Sequence, residues 1–208
     1  MIRILIAAAL GAALLNCAPA QADPFCTEEG APAGSATRAF DGGTVWISAD
    51  GLVGVTTAGG SGRVRVPSAS PMPLQALVVD AEGNGGRQLI VSNGRVAHLF
   101  VLDGCRISAA YDGQGEEFLF DLENLRGNGT GVGCSDLGDG RHLVGLQALP
   151  DAGGYVVRRT EIDLAGTTAT IGLSDTVTAA SQQDPAVVSA MTISCGELTM
   201  DQNGVRQP

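Results

Sequence analysis

The clearest pattern of apolar runs separated by polar breaks extends from Leu77 to Leu102. It reads as a short apolar strand, an acidic glycine-rich loop, a second strand, an Asn93-Gly94 turn and a third strand. Asn-Gly between runs of β-formers predicts a hairpin with a type I′ turn, whose two central residues need positive φ. Gln88 to Ser92 and Arg95 to Leu102 are the paired runs. Asp103-Gly104 then turns the chain into Cys105 to Tyr111, and Gly113-Gln114-Gly115 turns it into Glu116 to Asp121, giving a four-stranded antiparallel meander. Val96, Phe100 and Leu102 share one face of the second paired strand, while Leu99 and Val101 share the other. A strand apolar on both faces lies between layers and not against solvent.

The same reading extends along the chain. Thr44 to Ser48 and Leu52 to Thr57 flank an Ala49-Asp50-Gly51 turn, and Arg63 to Val66 follows a glycine-rich loop. Pro67, Pro71 and Pro73 close that region, and Gly and Pro interrupt every window of helical length. After a glycine-rich connection from Arg126 to Gly133, strands are expected at Arg141 to Gln147, Tyr155 to Asp163 and Ala169 to Leu173. Ser174 to Pro185 reads as loop, Val187 to Met200 as one or two closing strands, and residues 201–208 as a disordered tail. Residues 23–36 form a Pro/Gly/Ala-rich leader loop, so a single β domain is expected over residues 37–200.

The first 22 residues stand apart. A short basic start, an apolar stretch from Ile4 to Leu15 and an Ala20-Gln21-Ala22 site have the layout of a secretory signal. Leu14-Leu15-Asn16-Cys17 offers a second exit, lipid attachment at Cys17, with Asn16 where a small residue is expected. The remaining cysteines, Cys26, Cys105, Cys134 and Cys195, are even in number, and in an exported chain that implies two disulfides. The expected pairing is Cys105–Cys134 within one repeat region and Cys26–Cys195 between the ends. There is no C-x-x-C pair of the kind a structural zinc site uses. The net charge of −10, with no lysine, disfavours nucleic acid and anionic membranes. Cations, neutral sugars and basic proteins stay open as partners.

Catalytic constellations are sparse. His98 lies inside an apolar strand and reads as a hydrogen-bonded packing residue. His142 follows Asp136 and Asp139 closely enough for an acid–histidine pair, but no G-x-S-x-G elbow accompanies it and Ser135 reads as part of a turn. Glu116 and Glu117 are adjacent, so on a strand they point to opposite faces and cannot act together as glycosidase carboxylates. Trp46, Tyr111 and Tyr155 read as core or rim residues, an exposed Trp46 being the one that would stack on a sugar. Asn128-Gly129-Thr130 is a glycosylation sequon or simply a turn.

Asp80-Ala81-Glu82-Gly83-Asn84-Gly85, followed by Leu89, resembles the acidic loop of FG-GAP/VCBS repeats, the blades of integrin-like β-propellers. Gly133-Cys134-Ser135-Asp136-Leu137-Gly138-Asp139-Gly140, followed by Leu143, is similar but two residues short. The resemblance implies Ca²⁺ held by Asp80, Glu82 and Asn84, with the family's closing acid replaced by Gln88; the second loop keeps only Asp136 and Asp139. The competing reading is that Gly and Asx residues simply make tight turns. A blade takes roughly 40–50 residues and the smallest rings have four, whereas three strand clusters are legible. The expected fold is therefore all-β, a small or incomplete β-propeller-like array of antiparallel meanders, with a two-layer β-sandwich as the alternative. The expected function is an exported, non-catalytic binding or scaffold module of the cell envelope, facing an extracellular protein or carbohydrate. A secreted hydrolase using Asp136, Asp139 and His142 is the alternative, and a calcium-stabilised structural module is the third.

Overall fold

Runs of β-branched and aliphatic residues, broken every few positions by Gly and Asp, pair with their sequence neighbours, and the chain folds into three successive antiparallel meanders. The computed structural model describes residues 25–68, 70–122 and 129–208. The first sheet runs β1 (Ala36–Phe40), β2 (Gly43–Ile47), β3 (Leu52–Thr57) and β4 (Gly60–Arg65) in sequence order. The second contains β5 (Gln75–Val79), β6 (Arg87–Ser92), β7 (Val96–Asp103) and β8 (Arg106–Ala109), with β9 (Leu119–Asp121) also on β7. The third runs β10 (Gly129–Asp136), β11 (Arg141–Asp151), β12 (Gly154–Ala165) and β13 (Thr168–Ala179). None of the sheets closes on itself.

The sheets pack as successive layers, and side-chain alternation decides which core each residue joins. Ala76, Val78, Leu89, Val91 and Phe100 of the second sheet meet Val45, Ile47, Val53 and Val55 of the first. The alternate positions Leu77, Val79, Ile90, Ala97 and Leu99 meet Val132, Leu143, Ile162 and Ala169 of the third. The middle sheet is thus covered on both sides, as the two-faced apolar pattern of its strands requires. The outer face of the third sheet is only partly covered. There α1 (Pro185–Ser189), started by Asp184 accepting from the Ala186 amide, seats Val187 against Val144, Leu146, Ala148 and Val157.

Several elements differ from the sequence expectation. The turn between β6 and β7 has positive φ at Gly94 and not at Asn93. Asn93 pairs with Val96 through its backbone N–H and accepts from the Arg95 and Val96 amides through Oδ1. The two-residue loop is therefore Gly94-Arg95, the type II′ pattern with glycine first, in place of type I′. The fourth strand of the central meander returns to β7 and not to β8, because β8 covers only the second half of β7 and β9 takes the first half. The stretch read as a loop from Ser174 is largely strand, since β13 continues to Ala179 against β12. The closing segment supplies α1 and two very short strands, β14 (Ser194–Cys195) and β15 (Leu198–Thr199).

Residues 201–208, expected to be disordered, are ordered. After α2 (Met200–Asn203), β16 (Val205–Arg206) pairs antiparallel with β5. Val205 is buried in the core between the first two sheets, and Gln207 exchanges hydrogen bonds with the backbone of Leu74. The physical reason is an unpaired edge: without β16, the N–H and C=O groups at the start of β5 would lack partners.

The four expected cysteines form two bridges, but paired differently from the expectation: Cys26–Cys105 and Cys134–Cys195. Thr27 forms a bridge with Ser61 of β4, which places Cys26 beside the β7–β8 turn that carries Cys105. Val132 and Ile193 form a parallel bridge, so two residues further on Cys134 and Cys195 face each other. Cys17 and the rest of residues 1–24, the proposed signal included, lie outside the described residues, as does Asn128 of the sequon.

Candidate functional site

The outer face of the third sheet divides in two. On β11, alternation turns Leu143 inward and His142, Val144 and Leu146 outward. The β11–β12 register sets Val144 against Glu161 and Leu143 against Ile162, so Asp163 falls beside His142 on the same outer face. The helix α1 packs on the apolar part of this face, and the polar groups gather about His142.

Four side chains converge at that end. Asp139 comes from the β10–β11 turn, which Asp136 shapes by accepting from the Gly138 and Gly140 amides at 2.7 and 3.2 Å. His142 presents Nε2 at 3.5 Å from Asp139 Oδ1 and Nδ1 at 3.4 Å from Asp163 Oδ1. The candidate donor atoms of Asp139, His142 and Glu161 all lie within 4.8 Å of one another. Glu161 is only 1% exposed. Its Oε2 accepts from the Leu173 amide at 3.1 Å, whereas Oε1 is enclosed with no hydrogen-bond partner. His142 Nδ1 is likewise enclosed and lacks a well-formed hydrogen bond.

Backbone irregularity builds this arrangement. The β12–β13 register shifts between Thr160 and Ile162, and such a bulge re-aims the side chain it carries, here Glu161. Opposite, a Cβ on Gly172 would stand 2.6 Å from Asp163 Oδ2 and 3.1 Å from Glu161 Cβ. Glycine at this position is what lets β13 pair alongside the two acids.

One row away, Arg159 binds Asp175 through Nε at 2.8 Å and through a second, shorter contact from its NH2 group. That hydrogen-bonded guanidinium holds the Asp175 carboxyl below the usual carboxylate range. A depressed folded-state value means that the pair stabilises the fold above the ordinary aspartate range and loses that contribution as pH falls through it. The melting-temperature difference between wild type and Asp175→Asn should therefore be constant near neutrality and shrink below about pH 4. A difference unchanged down to the acid limit would contradict this.

The residues expected from sequence separate into distinct places. Asp139 and His142 come together, but Asp136 is spent on its own turn. Ser135 is a strand residue of β10 paired with His142, not part of a turn. Glu161 and Asp163 were not foreseen, because they lie in a run that reads as core strand. Their i, i+2 spacing was the available signal, since it puts two acids on one face. His98 is buried and its Nδ1 is 2.7 Å from Glu117 Oε1, in line with a packing role. Trp46 is 1% exposed, with Nε1 bonded to the Thr56 hydroxyl, and is unavailable to stack on a sugar.

In the first acidic loop, Asp80 accepts from the Gly83 and Asn84 amides through Oδ1 and from the Gly85 amide through Oδ2. Asn84 donates to Glu82 through Nδ2, and Gln88 Oε1 accepts from the Ala81 amide. Asp80, Glu82 and Asn84 are thus near one another, in a loop closed by its own hydrogen bonds. Comparison of the chain with family models, curated proteins and solved structures returned no match.

Proposed function

We propose that this chain is an exported, non-catalytic binding or scaffold module of the cell envelope, built on degenerate FG-GAP/VCBS-like repeats. The observation that carries the reading is the position of the two acidic bends. Each joins the first strand of its meander to the second, β5 to β6 and β10 to β11, and each spends its leading aspartate on backbone amides of the bend. Repeats whose acidic loops hold up the frame suit a scaffold that presents other loops to an extracellular protein or carbohydrate. Two disulfides support export, since such bridges persist in oxidising compartments, and no helix among the described residues is long and apolar enough to cross a membrane. Cleavage after Ala22 gives the free form; lipidation at Cys17 gives an anchored one.

Two measurements test this. Production in a bacterial exporting host should place the chain in the envelope or medium with a new N-terminus at Asp23 or Cys17. Retention in the cytoplasm with free thiols would remove the export half. The hydrolase alternative is tested by a panel of ester, peptide and glycoside substrates. Turnover that disappears in His142→Ala would replace the binding reading with an enzymatic one.

Within this proposal the Asp80 loop acts as a turn that does not need an ion. Asp80→Ala should lower stability by about 1 kcal/mol, equally in calcium and in chelator. Calcium that raises the melting temperature of wild type but not of Asp80→Ala would instead make the module calcium-stabilised through Asp80, Glu82 and Asn84.

A further inference from the structure

We infer that Asp139, His142 and Glu161 form a binding site for a divalent first-row transition-metal ion of the Zn²⁺ class, with Asp163 as the outer carboxylate on the imidazole. The site goes beyond the binding-module reading and does not depend on it.

Three observations carry it. Glu161 is a carboxylate 1% exposed whose Oε1 has no hydrogen-bond partner. Enclosing a carboxylate oxygen without a donor costs several kcal/mol as a rule, and the usual remedies are a proton, a water or a cation. That carboxylate also lies within 4.8 Å of two further donor groups, one of them an imidazole. Finally, His142 stands between two carboxylates, with Nε2 toward Asp139 and Nδ1 toward Asp163. A metal-bound histidine characteristically gives its other ring N–H to a carboxylate, which fixes the tautomer and frees the opposite nitrogen to ligate. Asp163 Oδ1 stands 3.4 Å from Nδ1, short of a well-aligned hydrogen bond, and is the carboxylate that takes this role when the ring ligates through Nε2. The guanidinium of Arg159 is hydrogen-bonded to Asp175 and reaches Glu161 only through its longer-range charge.

The donor set selects the ion. An imidazole with two carboxylates suits Zn²⁺ and its neighbours, whereas Ca²⁺ prefers six to eight oxygens. Three protein donors leave at least one coordination position for water or an external ligand, and the exposed Asp139 side chain gives the solvent-side approach.

The test uses the full chain, stripped of metal by chelator, with Zn²⁺ alone as the probe. Titration calorimetry should give one Zn²⁺ per chain and no comparable heat with Ca²⁺. His142→Ala and the near-isosteric Glu161→Gln should each weaken binding by more than a hundredfold. Asp163→Asn should weaken it by about ten- to a hundredfold, the range for outer carboxylates on ligating histidines. Asp80→Ala should bind as wild type does. Should Glu161→Gln fail to fold, the wild type loaded with Co²⁺ gives an independent readout, visible absorption bands that Zn²⁺ displaces and His142→Ala lacks. No Zn²⁺ binding to wild type at about 100 μM, or binding indifferent to His142→Ala, overturns the assignment. Neither result would bear on export or on the binding-module reading.

Discussion

Replacing Leu99 by alanine should cost about 2–5 kcal/mol, and replacing its neighbour Phe100 by alanine about 3–5 kcal/mol. The point lies in the pair. Adjacent strand residues face opposite ways, so in a sheet with one wet face one of the two would be a mild surface change. Here Leu99 is fully buried in the core toward the third sheet, and Phe100 is 2% exposed in the core toward the first. Each truncation removes apolar contact and leaves a cavity between packed layers. Urea denaturation with the disulfides intact would measure both. A severe loss for one and a change under about 0.5 kcal/mol for the other would mean that the middle sheet is not covered on both sides.

The second large effect concerns the cysteines. Removing the Cys134–Cys195 bridge with paired Cys→Ser substitutions should destabilise the fold by about 4 kcal/mol, the chain-entropy value for a loop of this size. The bridge spans 61 residues and fastens β14 to β10, the strand that leads into the Asp139 turn. Since small domains are stable by about 5–15 kcal/mol, such a loss should be plain in the melting temperature. The variant also tests the pairing: Cys26 and Cys105 should stay bonded in it, with neither available to a thiol reagent. A free thiol at either position would favour Cys105–Cys134 and Cys26–Cys195 instead.

The strands of the middle sheet were legible from sequence because burial on both faces writes an uninterrupted apolar run, and the Asn93-Gly94 dipeptide marks where that run folds back. The identity of the turn was less legible. Asn93 supplies a side-chain acceptor in place of a second positive φ, and the sequence motif is the same either way. The tail reads as disordered because Val205 is a single apolar residue among polar ones. What orders it is an open edge on β5, far away in sequence, and no local pattern reports that. Disulfide pairing failed for the same reason: it follows from which strands lie side by side, and Cys195 reaches Cys134 through a bridge set by Ile193. The charged cluster was half visible. Asp139 and His142 stand three residues apart, one in the turn and one at the start of β11, whereas Glu161 and Asp163 arrive through strand register and a bulge, which composition does not reveal.

The late pairing of β16 with β5 has a consequence for how the protein is made. Leu74 waits for a partner, Gln207, that is 133 residues further along, so the middle sheet stays open on one side while most of the chain is synthesised. Contacts of such long range close slowly and leave a sticky margin exposed meanwhile. On the proposed export route, this interval would last until the C-terminal residues had crossed the membrane and covered the start of β5.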